Sequence, residues 1–192
     1  LQQPKESIKS IAVSTIAPCV LPLDKEGKPL RPGLLYGLDT RAEAEIQEIE
    51  EKLGREVIFA KTGQDLSSQS CCPKILWIRK NEPDVWQKTA KILTASGYLV
   101  YKLTGRYTLD IYTAIGYAPM FDLAKKTWDP SLADLITDMD KLPELLWSSQ
   151  VAGEITRQAA ALTGLPAGVP VATGTTDAAS EALAAGVEKT GD

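Results

Sequence analysis

The 192-residue chain contains no histidine. That excludes serine–histidine triads, cysteine–histidine dyads and histidine-ligated zinc, and leaves acid–base work to carboxylates, Lys, Tyr or Cys. Cysteine is scarce: of the three, Cys71 and Cys72 are adjacent, which gives no paired disulfide framework and poor geometry for a bond between them. A reducing, cytoplasmic setting is the expectation. No apolar run approaches the roughly 18 residues of a membrane span. The opening Leu1-Gln2-Gln3-Pro4-Lys5-Glu6 carries neither an initiator Met nor a signal-peptide pattern, so we expect a soluble piece of something longer. Positive charge is in deficit, 21 basic against 25 acidic side chains for a net charge of −4, which argues against a nucleic-acid groove or a polybasic membrane patch. Neither G-x-x-x-x-G-K-[ST] nor G-x-G-x-x-G occurs, so nucleotide binding by this chain alone has no support. There is no fixed-period repeat.

What is present suits one domain: 44% of the residues are hydrophobic, enough for a core. Ile8–Ser14 and Cys19–Asp24 read as strands, followed by a turn over residues 24–29. Thr40-Arg41-Ala42-Glu43 matches a capping box, with Ile46, Ile49 and Leu53 on one helical face, Gly54 as a stop and the acidic face turned to solvent. Pro73 opens a second helix, and a third runs through Val85, Trp86, Ile92 and Leu93 after the break at Asn81-Glu82-Pro83. Tyr98–Leu103 continues the pattern to Thr104-Gly105, residues 110–120 look β-like, and Trp128-Asp129-Pro130 starts a short helix. All four tryptophans read as core. Ile155–Leu162 is a helix closed by Gly164. Then Val169–Ala172, Gly174-Thr175-Thr176-Asp177 and the small-residue run Ala178–Ala185 form a strand–turn–helix unit.

Ligands in open α/β sheets bind beyond the carboxyl ends of strands, which draws attention to Asp177 among small neighbours. The same position is also where an N-cap belongs, and spacing alone does not separate the two roles. Asp39-Thr40-Arg41 reads as structural. Asp110 suits a hydroxylated ligand and a turn bonded to its own backbone equally, and the polar run Gly63–Ser70 suits a sugar-contacting loop or an ordinary connection.

Taken in order, Ile11-Ala12-Val13-Ser14, Val20–Leu30, Tyr36-Gly37-Leu38-Asp39-Thr40-Arg41-Ala42, Pro73–Ile78, Tyr101–Gly105, Phe121-Asp122-Leu123, Val151-Ala152-Gly153 and Gly168–Asp177 resemble the FGGY carbohydrate kinases. The resemblance implies an α/β, ribonuclease-H-like (actin-like ATPase) fold, here an incomplete single domain with a mixed sheet flanked by helices. Residues 1–192 then correspond to the sugar-side domain, without the first phosphate-binding hairpin and its Asp-x-Gly-Thr and without the nucleotide domain. It implies Asp177 as general base for transfer of the γ-phosphate of Mg-ATP to a ketose or polyol hydroxyl. Ala17, Pro18, Gln69, Asp110 and Thr176 would then be substrate-binding residues. The chain alone would bind neither metal nor Mg-ATP and would be inactive, with a small sugar as partner, no nucleic acid, no membrane, and a homodimer left open. The chain departs from the family at Thr15-Ile16-Ala17-Pro18-Cys19, where xylulokinases carry Gly-Gln-Met-His-Gly. It departs again at Ala178, where Asn or Gln is frequent, and at Gly37, where Trp is common. These departures imply a less polar pocket. The alternative function is a non-catalytic sugar-binding or regulatory module that keeps the fold.

Overall fold

Proline and glycine cut this chain into short elements, and the ladders between them are correspondingly short. The computed structural model describes residues 4–187 and Lys189. In chain order the elements are β1 (Ser14–Thr15), β2 (Leu21–Leu23), α1 (Glu43–Leu53), α2 (Arg55–Thr62), α3 (Cys71–Asn81), α4 (Pro83–Lys88), β3 (Lys91–Leu93), α5 (Ala95–Thr104), β4 (Thr108–Asp110), α6 (Ile111–Ala114), β5 (Phe121–Asp122), β6 (Thr127–Trp128), β7 (Glu144–Leu146), β8 (Val151–Glu154), α7 (Arg157–Thr163), β9 (Pro170–Ala172), β10 (Thr175–Thr176) and α8 (Asp177–Ala184). Among these residues no helix is long and apolar enough to cross a membrane.

Strands pair in both senses. β1 runs parallel to β10 and β4 parallel to β7, while β2–β3, β5–β6 and β8–β9 are antiparallel. The expected mixed sheet is, among the described residues, five two-stranded pieces, with one parallel bridge from Ile11 to Val171 joining the β9 edge to the segment before β1. Pro22 lies inside β2 and Pro170 begins β9, and neither can donate to a ladder.

Several local readings are corrected. The strand expected over residues 8–14 contracts to that bridge and β1. No capping box forms at Thr40: residues 41–42 form a turn, so Glu43 is the first residue of α1 rather than its third, and Asp39 is tied to the N–H and Nε of Arg41. The acidic face of α1 is not wholly solvated, since Glu45 is buried and pairs with Lys80 at 3.2 Å. Helix α2 has no counterpart in the sequence reading. Gly54 ends α1 at φ +82°, yet its carbonyl accepts the N–H of Ile58 and so starts the next helix at once. Ile92 and Leu93 belong to β3, paired with β2, because a short buried apolar run fits strand and helix equally by period. Residues 111–117 are helical rather than β-like. Trp147 is 53% exposed, so it is not a core residue.

Two apolar clusters support the fold. The larger gathers Ile49 of α1, Ile58 of α2, Ile75 and Ile78 of α3, Ile92 of β3, and Tyr117, Met120 and Phe121. The smaller joins Val100 of α5, Ala152, Ile155, Ala159 of α7 and Val171 of β9, with Ile11 and Val13 packed against it.

Candidate functional site

The β1–β10 pairing aligns Ser14 with Thr175 and Thr15 with Thr176, so two parallel strands end at the same level and the residues beyond them emerge side by side. Gly174 makes that approach feasible. Its φ is +74°, and a Cβ there would stand 2.0 Å from the carbonyl oxygen of Val13, the oxygen that accepts the N–H of Thr175. Beyond β1 lie Ala17 and Pro18, and beyond β10 lies α8.

The capping question at α8 has a definite answer. Thr176 is the N-cap, its Oγ1 accepting the N–H of Ala179 at 3.1 Å. Asp177 is the first helical residue, half-buried, and its Oδ1 accepts only the N–H of Ala178 at 2.8 Å. The carboxylate is therefore not consumed as a cap and keeps Oδ2 without a partner among the described residues. Thr176 and Ala178 on either side of it line a cleft of about 320 Å³.

Three other segments complete the cleft. Ala17 and Pro18 form one wall. The loop between α2 and α3 contributes Gln64, Ser67, Gln69 and Ser70. Its shape is held from below by Lys74, whose Nζ donates to the carbonyls of Leu35 at 2.6 Å and Ser68 at 2.5 Å. Burial of this ammonium lowers its pKa, against the opposing influence of Cys71 and Asp39. The third segment is α6 and the turn after it: Tyr112, Thr113, Ile115 and Gly116. Gly116 packs so closely on Pro18 that a Cβ would lie 2.7 Å from the ring, and Gln64 Nε2 donates to the carbonyl of Ile115 at 2.6 Å.

Of the residues singled out in the sequence, Ala17, Pro18, Gln69 and Thr176 line this one cleft, with Asp177 between two of its lining residues. Asp110 does not line it. It is 1% exposed and stands behind the wall, where its Oδ2 accepts the N–H of Thr113 and the hydroxyl of Thr175, both at 2.9 Å. Its Oδ1 is buried without a partner, as is Thr113 Oγ1. Asp110 thereby ties the α6 wall to the strand that delivers Asp177. The α6 wall itself escaped the sequence reading; the available signal was Asp110 three residues before Thr113, an N-cap spacing that marks a helix start rather than a strand.

Cys19, Cys71 and Cys72 are free and buried, and burial pushes the Cys72 thiol up to about 12, so none is an activated nucleophile. Among the described residues no group of three or more His, Cys, Asp or Glu could hold a metal ion.

Comparison with known proteins gives a consistent result. The sequence model of the FGGY family of carbohydrate kinases, N-terminal domain, matches residues 1–184. The probable L-xylulose kinase of Pasteurella multocida is 32% identical over 186 residues, 95% of this chain and 38% of that protein. The L-xylulose/3-keto-L-gulonate kinase of Escherichia coli is 31% identical over 95% of this chain and 37% of its own length. The crystal structure of xylulose kinase from Rhodospirillum rubrum superimposes with a TM-score of 0.90 at 34% identity, covering 96% of this chain and 38% of that one. The chain thus spans under two fifths of these relatives.

Proposed function

Because the chain belongs to the FGGY family of carbohydrate kinases, we propose that it is the sugar-binding lobe of an enzyme that transfers the γ-phosphate of ATP to a hydroxyl of a ketose or polyol, with Asp177 as general base. The ribonuclease-H-like, actin-like architecture is part of the same reading. The observation that supports it is the position of Asp177: a carboxylate beside a cleft, relieved of capping by Thr176.

Asp177 takes the proton of the acceptor hydroxyl as its oxygen forms the new O–P bond, while the bond from the γ-phosphorus to the leaving ADP oxygen breaks. Thr176 and the Ser67–Ser70 loop orient the acceptor. The sequence carries no G-x-x-x-x-G-K-[ST] phosphate loop. To this chain we assign acceptor binding and proton removal.

The test is Asp177→Asn in a protein that carries this chain together with a nucleotide-binding lobe, assayed with Mg-ATP against pentuloses, hexuloses, aldonates and polyols. The expected result is a loss of about 10²–10⁴ in kcat, the range for removal of a general base, with the acceptor KM changed only a few-fold. Undiminished turnover would remove Asp177 from the role. Acceptor binding without turnover by the unsubstituted protein would favour a binding module.

A further inference from the structure

Among the described residues Lys74 is the only buried cation, 2% exposed. Its place does not favour a charge. It ends the first turn of α3, where the helix dipole opposes a cation, and among the described residues it forms no ion pair with a carboxylate. Stability alone gives no reason to bury an ammonium there, and doing so is costly unless its protons are taken. They are taken by main-chain oxygens of two loops: the carbonyl of Leu35, in the connection before α1, at 2.6 Å, and the carbonyl of Ser68, in the loop between α2 and α3, at 2.5 Å.

The two loops meet at that ammonium. The Ser68 carbonyl also accepts the N–H of Gly37 at 3.0 Å, so one oxygen is gripped by a main-chain donor of the first loop and by the side chain that holds Leu35. Ser68 stands between Ser67 and Gln69, which line the cleft together with Ser70. Ser70 Oγ accepts the Ser67 N–H and Ser67 Oγ accepts the Gln69 N–H, which makes residues 67–70 a small hydrogen-bonded unit that shifts as one when Ser68 is released. Lys74 itself does not line the cleft.

Resting on the sugar-site reading above, we infer that Lys74 is a positioning residue: its ammonium, without touching the acceptor, holds loop 67–70 against loop 35–37 in the form that binds the acceptor. Charge matters to this role, because a charged donor bonds a carbonyl more strongly than a neutral amine does. Burial lowers the Lys74 pKa; of the titratable and charged groups that face it, Arg41 adds to that, while Cys71, Asp39 and Cys19 act the other way. The charge is therefore lost at a pH below the ordinary lysine value of 10.5.

The test uses the protein that carries this chain together with a nucleotide-binding lobe, with Mg-ATP and xylulose. Lys74→Met keeps the stem and removes the ammonium. It is expected to raise the acceptor KM about tenfold or more with kcat within about threefold, the reverse of the pattern for Asp177→Asn. The parent-to-variant ratio of kcat/KM should be constant through neutral pH and fall as Lys74 deprotonates. Lys74→Gln, which keeps a neutral donor, should raise KM by an intermediate factor, and it carries the test if circular dichroism shows Lys74→Met unfolded. A folded variant with KM within about twofold of the parent, or a ratio that does not change up to pH 10.5, would overturn the positioning role. Loss of the fold in both variants would overturn it too, in favour of a purely structural lysine. The sugar site would stand in each case, since Asp177→Asn tests it separately. No turnover of xylulose, or of any other acceptor in the panel, by the unsubstituted protein would overturn the sugar site and this inference with it.

Discussion

At Gly174 two separate demands meet on one residue, a left-handed φ of +74° and a Cβ position already occupied by the Val13 carbonyl. Any side chain there must part β10 from β1. Gly174→Ala is expected to destabilise the chain by at least about 1–3 kcal/mol, read as a melting temperature lower by roughly 2–8 °C, and to weaken ligand binding through the displaced start of α8. Stability within error of the parent would show that the strands separate at no cost. Asp110 gives a second expectation. Asp110→Ala removes the cap of α6 and leaves the half-buried Thr175 hydroxyl without its acceptor, a loss of about 1–3 kcal/mol in chemical denaturation. Asp110→Asn should recover part of it, since the amide oxygen still accepts from Thr113. At this scale the sequence was legible where chemistry and position coincide. Asp177 stands out because it sits at a strand-to-helix turn, and Ala17, Pro18, Gln69 and Thr176 line one cleft. The division of labour between Thr176 and Asp177 was not legible, because two adjacent residues can each cap a helix and only the backbone direction decides between them.

Elements were legible where a stop residue coincides with a change of period. Helices α5 and α7 end at Gly105 and Gly164, both left-handed, where the sequence places them. They were illegible where one residue serves two elements, as Gly54 does between α1 and α2, or where two apolar residues are too few to show a period, as in β3. One contact between elements carries a pH dependence. Lys61 near the end of α2 binds Asp129 at the start of the turn after β6, and this hydrogen bond, with a second from Ser131, lowers the Asp129 pKa from 3.8 to about 2. A carboxyl with a depressed folded pKa stabilises fully above its unfolded value and loses that contribution as pH falls through the folded one. The gap in urea midpoint between the parent and Lys61→Ala should therefore be constant above about pH 5 and close as pH falls from about 4 to about 2. A gap that persists at the acid end would mean that Lys61 acts through packing rather than charge.

Over the whole chain, the two apolar clusters account for a folded lobe, and the cleft is built where their elements meet beyond β1 and β10. Phosphoryl transfer needs both reactants held in line with water excluded, and on the proposed reading the chain's residues supply the acceptor side of that arrangement. The 192-residue chain is accordingly expected to bind an acceptor sugar while showing no ATP-dependent phosphorylation in a coupled ADP-release assay. Measurable turnover that vanishes in Asp177→Asn would prove the chain sufficient and refute that division. The broad class was legible from the order of short motifs along the sequence. The division of the sheet into five pieces was not, because strand pairing depends on contacts between distant residues that no local pattern records.

The parallel pairing of β1 with β10 has an outcome during synthesis. Ala17 and Pro18 on one wall of the cleft are translated long before Asp177, so no nascent polypeptide holds the site until the ribosome has passed α8. Products terminated before β10 can bury much of the larger cluster yet lack the pocket, because the cleft forms only once two far-separated segments have registered.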